Sequence, residues 1–280
     1  MCALLVGPVR GVAASAVRLN VVYPPPESQA DQRQEFSIKT LDLALSRSGI
    51  PYTLREGTQR LPQGRAIRQV QNNGEPNVIW TVTTKEREKA LLPVRIPIDK
   101  GLLGWRVLLI KSADFEQFRK VRGASGLKAL RAGQGTDWPD TQILLANGLR
   151  VSTSDTYDGL FKMLAASRFD YLPRSVAEVS GEQSQFADSR LTLEPKLVLH
   201  YPTAKYFFVS KDNPALAKAI ETGLRDAIRD GSFEKLFVKY NGEQIKLAKL
   251  EQRTVIELKN PLLPPQTPLL DKALWFSAPR

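Results

Sequence analysis

Residues 206–242 read YFFVSKDNPALAKAIETGLRDAIRDGSFEKLFVKYNG. Asn213-Pro214 opens a helix, because Asn offers an N-cap oxygen and Pro fits a first turn whose N–H has no helical partner. Leu216, Ile220, Leu224 and Ile228 then recur on one face. Gly231 stops that helix, and Ser232 begins another with Phe233, Leu236, Phe237 and Tyr240 as its apolar stripe. Just before lies a long extended stretch, 196–210, rich in Leu, Val, Tyr and Phe and broken by Pro202. Its length suits a segment that passes between two units.

Further towards the N-terminus, strand and helix signals alternate. Residues 19–23 are a short apolar run stopped by Pro24-Pro25-Pro26, which reads as a buried strand. Ile38, Leu41 and Leu45 are at helical spacing up to Gly49, and 52–55 can form a second strand. A helix over 65–73 and a strand over 78–82 follow. This alternation marks a parallel sheet covered on both faces. Residues 101–111 hold a strand, with Trp105 and 107–110 apolar, and a charged helix is predicted over 114–121. The alternation then restarts: a strand over 127–132, a helix over 138–147 ending at Gly148, and a strand over 151–153. Tyr157, Leu160, Phe161 and Leu164 give the next helix its face, with Met163 as core, and 169–172 is a short strand.

Composition narrows the chemistry. With 280 residues and 42% hydrophobic content, the chain can build one large domain or two ordinary ones. A single cysteine, Cys2, excludes a disulfide framework and a cysteine metal cluster, so no metal site or cofactor is expected. A single histidine, His200, leaves little for a Ser-His-Asp triad, and it reads as a hinge or packing residue. The net charge of +11 raises nucleic acid as a partner, but the basic residues are interspersed with acids, as in Lys85-Glu86-Arg87-Glu88-Lys89. Nor do aromatics alternate with basic residues as a single-strand binder requires. A basic solvated surface and no nucleic acid are the expectation.

Residues 1–16 are apolar and rich in small residues, with Ala14-Ser15-Ala16 in the A-x-A form of a signal-peptidase site. A basic n-region is missing, and Pro8 and Arg10 interrupt the run, so the segment is an atypical or truncated signal peptide, a wrongly assigned start, or a plain tail. No later stretch approaches the roughly 20 apolar residues of a membrane span.

Three segments carry a family resemblance: 77–91 (NVIWTVTTKEREKAL), 130–137 (LRAGQGTD) and 206–242. In this order they resemble the type II periplasmic binding proteins, solute-binding family 3, which includes polar amino-acid receptors of ABC transporters. The first looks like the family's strand, Ser/Thr turn and T-x-E-R helix start. The second is similar to the strand and Gly-Thr turn that open the second lobe, and the third to the return strand and closing helices. The likeness spans roughly 19–242. It implies a two-lobed α/β fold, each lobe a mainly parallel sheet flanked by helices, with two crossings near Leu109 and 203–206. Lobe 1 is then 18–109 plus 206–242 and lobe 2 is 112–203. The tail, 243–280, lies outside the family pattern and reads as an extended strap on one lobe, anchored by Trp275 and Phe276.

The resemblance also implies a ligand site. Arg87 matches the family arginine that grips a carboxylate; taken alone it reads as an exposed helix arginine beside Glu86. Thr136 would contact the ligand, with Gly133-Gln134-Gly135 allowing close backbone approach and the following N–H groups meeting an anion. The alternative is a plain turn with Asp137 as helix cap. Thr81, Thr83 and Thr84 keep the hydroxyls of the preceding turn, although Trp80 and Val82 replace others. Where amino-acid receptors place an acid for the ligand ammonium, this chain has Arg174 and Ser175. That favours a small anionic solute, if Arg174 faces the cleft and is not a surface loop residue. Trp138, Tyr171 and Tyr23 offer flat apolar contacts or core packing.

The expectation is therefore a monomeric, exported, periplasmic receptor that captures a solute by hinge closure and delivers it to a membrane permease, or signals to a membrane partner. A dehydratase-like enzyme on the same fold would need a positioned acid such as Asp137 or Glu27, and no paired arrangement is visible.

Overall fold

The computed structural model describes residues 18–26, 34–185 and 190–278. The suggested signal segment 1–16 and Glu27 lie outside the described residues. The chain begins with Leu19–Tyr23 (β1), Glu35–Arg47 (α1), Tyr52–Glu56 (β2), Gln63–Gln71 (α2), Val78–Val82 (β3), Lys85–Ala90 (α3) and Leu92–Val94 (β4). After a crossing over 95–104 come Trp105–Lys111 (β5), Phe115–Phe118 (α4), Gly123–Lys128 (α5), Arg131–Gly135 (β6), Pro139–Ala146 (α6), Arg150–Ser154 (β7), Tyr157–Ala165 (α7), Tyr171–Ser175 (β8), Val179–Gln185 (α8) and Leu191–His200 (β9). Residues 201–204 lead back to Lys205–Val209 (β10), Pro214–Arg229 (α9) and Ser232–Ala248 (α10), and Thr254–Glu257 (β11) follows.

In the first lobe β1 and β2 pair in parallel, while β10 lies between β3 and β4 and runs antiparallel to both. Asn77 joins the two ladders. Its main-chain N–H donates to Val22 O, its side-chain oxygen accepts from Val22 N at 2.9 Å, and its amide donates to Asn20 O at 2.7 Å. Leu41 and Leu45 of α1 and Ile220 and Leu224 of α9 are fully buried over this sheet. Gly223 lets the two helices touch, since a Cβ there would lie 1.7 Å from Ala44 O. Asn213 caps α9 as its sequence requires, accepting from Leu216 N.

The second lobe is one six-stranded sheet in the order β11-β9-β5-β8-β6-β7. The alternating strands β8, β6 and β7 run parallel, and β5, which enters from the first lobe, is antiparallel to β8 and β9. Val107 to Ile110 are fully buried, as a continuous apolar run covered on both faces should be. Among the described residues, no helix is long and apolar enough to cross a membrane.

Several local expectations shift. Residues 127–132 are not one strand: Gly123–Lys128 is helical and β6 begins at Arg131, because a short apolar run has no period long enough to separate the two states. The charged helix over 114–121 shrinks to Phe115–Phe118. The strand expected at 169–172 is β8, which continues through Pro173 to Ser175, so Arg174 is in a buried strand and not a loop. Leu109 is inside β5; the first crossing is at 95–104. The tail also departs from an extended strap on one lobe. Helix α10 runs on to Ala248, β11 joins the second-lobe sheet, and later residues bond to the first lobe.

Candidate functional site

The C-terminal ends of β3, β6 and β8 converge where the lobes meet, the usual place for a ligand in an α/β sheet. A cavity of about 120 Å³ lies there. The first lobe contributes Gln63, Ile79, Trp80, Thr81, Val82 and Lys205; the second contributes Arg106, Trp138, Pro139, Asp140, Arg174 and Glu178; the first crossing adds Leu103. A second, outer cavity of about 680 Å³ shares Leu61, Gln63 and Trp138 with the first. Its first-lobe wall carries Arg60, Arg65 and Arg68, and its second-lobe wall carries Thr136, Asp137, Asp155, Asp158 and Lys162. The lobes are close at this point: a Cβ on Gly64 would lie 2.9 Å from Asp137 Oδ2.

A buried charge cluster forms the floor of the inner cavity. Arg174, 1% exposed, donates to Glu182 at 2.5–3.0 Å and pairs with Glu178 at 3.0 Å. Arg106 donates to Asp140 at 2.6 Å and to the Tyr201 hydroxyl at 3.0 Å, and lies 3.5 Å from Glu178. Tyr201 in turn donates to Asp140, and Tyr157 donates to Glu182 at 2.9 Å. The Arg174 guanidinium also lies 5.0 Å over the Trp138 ring. Burial alone would lower both arginine pKa values. The carboxylates outweigh it and raise them, so both stay cationic. Burial pushes the Tyr201 hydroxyl well above its ordinary range, which keeps it a donor. Each charge has partners, as a low-dielectric interior demands.

Arg87 is different. Thr84 caps α3, accepting from Arg87 N, and this turns the Arg87 side chain back along β3. Its guanidinium donates to Thr81 Oγ1 at 2.6 Å, Val82 O at 2.8 Å, Gln63 Oε1 at 2.6 Å and, across the cleft, Asp137 O at 3.3 Å. All four acceptors are uncharged. Burial pulls its pKa down to about 10, against the more distant Asp140, Asp137 and Glu86, so it is cationic at neutral pH.

The expected site residues fall into three groups. Thr81 and Arg174 line the inner cavity, Trp138 lines both, and Gly135, Thr136 and Asp137 line the outer one. Arg87 lines neither cavity itself, but its guanidinium is bonded to Thr81 and Val82 of the inner one, Asp137 of the outer one and Gln63 of both. Thr83, Gln134, Tyr171 and Tyr23 line neither. Thr83 is buried and donates to Glu88 at 2.7 Å. Tyr171 packs edge-on against Phe118 in the second-lobe core, and burial raises its pKa. Gln134 is buried on β6, and Tyr23 packs against Trp80. The reason for expecting an unopposed cation at Arg174 is gone, because Glu178 and Glu182 neutralise it. Sequence reading missed Arg106, Asp140, Glu178, Glu182, Gln63 and Lys205. No helical spacing announces the pairing of Arg174 with Glu178 and Glu182, because Arg174 is on β8, Glu178 in the turn after it and Glu182 on α8.

No protein-family model matches the chain, and no curated protein matches it in sequence. Solved structures do match. An ancestral arginine-binding protein bound to arginine superposes with a TM-score of 0.60 at 16% identity, covering 80% of this chain and 97% of that one. A periplasmic binding protein of Salmonella typhimurium with high arginine specificity gives 0.60 at 15%, covering 80% and 99%. The substrate-binding protein of an amino-acid ABC transporter gives 0.58 at 12%, covering 80% and 99%. These neighbours are covered almost whole, while about a fifth of this chain has no counterpart in them. At such identities the likeness speaks for architecture: the chain has the two-lobed α/β fold of the type II periplasmic binding proteins, with its candidate site in the gap between the lobes.

Proposed function

We propose that this protein is an extracytoplasmic receptor that captures a small, carboxylate-bearing polar solute between its lobes by hinge closure. The observation that carries this reading is Arg87: a guanidinium bonded to residues that line the inner and outer cavities, satisfied only by neutral oxygens, and therefore able to exchange them for a ligand carboxylate. Asp140 and Glu178 supply negative charge on the same inner wall, opposite in sign to Arg106, Arg174 and Lys205. A wall of both signs suits a zwitterion of the amino-acid type better than a simple anion. Trp138 gives such a ligand a flat apolar surface.

The mechanism is binding: a solute that touches both lobes shifts the population towards the state in which they meet. The structural neighbours are an arginine-binding protein, an arginine-specific periplasmic protein and an ABC-transporter receptor, which supports export and delivery to a membrane permease as the setting. A thermal-shift screen of α-amino acids, dicarboxylates and their amides is the test. A ligand at 100 times its Kd adds about 2.7 kcal/mol of apparent stability. The reading fails if no compound in the panel stabilises the protein, or if the hit binds equally well after Arg87→Ala.

A further inference from the structure

We infer that residues 249–278 form a clasp over the hinge, with Asn260 and Trp275 as positioning residues that hold the angle between the lobes. Neither touches the inner or outer cavity. The inference deepens the receptor reading, since a hinge angle matters to function only if closure is used.

The tail visits both lobes and both crossings in turn. It leaves α10, which packs on α9 and α1 in the first lobe, and Leu250 enters the second-lobe core. Arg253 then donates to Ala248 O at 2.7 Å and to Leu197 O at 3.1 Å, joining the end of α10 to β9. Strand β11 adds to the edge of the second-lobe sheet, with Thr254 opposite Leu197 and Glu257 opposite His200. Glu257 is also 2.7 Å from His200 Nδ1, and the His200 ring stacks on Trp105, at the start of β5. Lys259 and Asn147 exchange two hydrogen bonds, at 2.8 and 2.9 Å.

Beyond that point the chain recrosses. Asn260 Nδ2 donates to Pro202 O at 2.8 Å, within the second crossing. Leu262 O accepts from Lys85 N at 3.1 Å, which returns the tail to the first lobe. Trp275, held by its indole N–H to Pro268 O at 2.8 Å, covers Gly101 in the first crossing so closely that a Cβ there would come within 2.4 Å of the ring. Phe276 N donates to Lys100 O at 2.6 Å, and the Phe276 ring meets Trp105 edge-on.

A hinge works by concentrating backbone rotation in a few connecting residues. Here Lys100, Gly101 and Pro202 are such residues, and each is bonded to or covered by the tail. Opening the lobes therefore requires the tail to slip at Pro202 or Lys100, or to part from Lys85. The clasp narrows the range of lobe angles and keeps the ligand-free protein near its binding geometry. Apparent affinity then rises in proportion to the competent fraction.

The test measures the angle without any ligand, so it stands or falls separately from the receptor reading. Spin labels are placed on the full-length chain at Gln71→Cys, on α2, and Ala165→Cys, on α7, both exposed, after Cys2→Ser. Double electron–electron resonance then compares the otherwise unaltered clasp with Asn260→Ala and with Trp275→Ala. Release of the clasp is expected to lengthen the mean distance by more than ~2 Å, the scale that separates domain rearrangement from side-chain adjustment, and to broaden the distribution. If a variant loses its folded circular-dichroism spectrum, the other decides. Distances unchanged in a folded variant overturn the inference.

Discussion

Arg87 on the first lobe donates to the main-chain carbonyl of Asp137 on the second, 3.3 Å away across the cleft. One side chain thus braces residues that line the candidate site and also makes a contact between the lobes. On the proposed reading, closure and ligand capture would be coupled through it, since a ligand that took up the guanidinium would also change what holds the lobes together.

Removing that cation is expected to be costly for binding. Arg87→Ala should weaken ligand affinity by roughly 10- to 100-fold, the ~1.5–3 kcal/mol of a hydrogen bond to a charged group. Calorimetric titration checks it. Affinity should also fall in alkaline solution as the guanidinium, lowered by burial to about 10, begins to lose its proton.

The charge cluster behind the cavity predicts the reverse pattern. Glu182→Ala leaves Arg174 buried with only Glu178 close by, so stability is expected to drop by about 3 kcal/mol, the lower end for breaking a buried pair. Urea unfolding measures this. A drop well under 1 kcal/mol would mean that Glu178 alone satisfies the arginine.

Helix contact in the first lobe gives a steric test. Gly223→Ala places a methyl 1.7 Å from Ala44 O, a main-chain atom that cannot swing aside, and α1 and α9 must separate. Overpacking of this kind costs about 1–3 kcal/mol. An unchanged melting temperature would contradict the packing described for α1 and α9.

An acid-limb prediction comes from Asp230, whose carboxylate accepts from Ser232 at the start of α10 and pairs with Arg47. The bonds from Ser232 come first and the Arg47 pair adds to them, together lowering its pKa to about 2. A group depressed in the folded state adds stability above its unfolded pKa and loses it as pH falls. The contribution is therefore expected to fade between about 4 and 2. Asp230→Asn should flatten the stability profile in that window and leave it parallel to the parent at neutral pH.

At the outer mouth, Arg60, Arg65 and Arg68 face Asp137, Asp155 and Asp158 across the cleft. Exposed charges of opposite sign attract over distances that salt screens, with a Debye length of about 8 Å at physiological ionic strength. Raising sodium chloride from about 0.05 to 0.5 M is expected to weaken ligand binding by a few-fold, through easier lobe separation. Titrations at the two salt concentrations settle it, and equal affinities would assign the mouth no part in closure.

Most of the strand and helix alternation was legible in the chain, although the helix over Gly123–Lys128 was not. Asn213-Pro214 and Gly231 bound α9, Gly148 follows α6, and the stripe from Tyr157 to Leu164 is the buried face of α7, because caps, breakers and a 3.6-residue period act over a few neighbouring residues. The resemblance that set Thr81, Arg87 and Thr136 apart also rested on short contiguous segments. Tertiary structure alone decided the rest. Arg106, Asp140, Glu178 and Tyr201 come from separate elements and share a floor only once β5, β8 and α6 pack, so no spacing in the chain announces them. Arg174 carries the same formal charge in either reading; its neutralisation depends on carboxylates that folding brings within 3 Å. The tail was opaque for the same reason. Its prolines mark it as extended, but a parallel strand on β9 and a tryptophan over Gly101 are contacts with distant residues, and burial and hydrogen-bond satisfaction across the whole molecule select them.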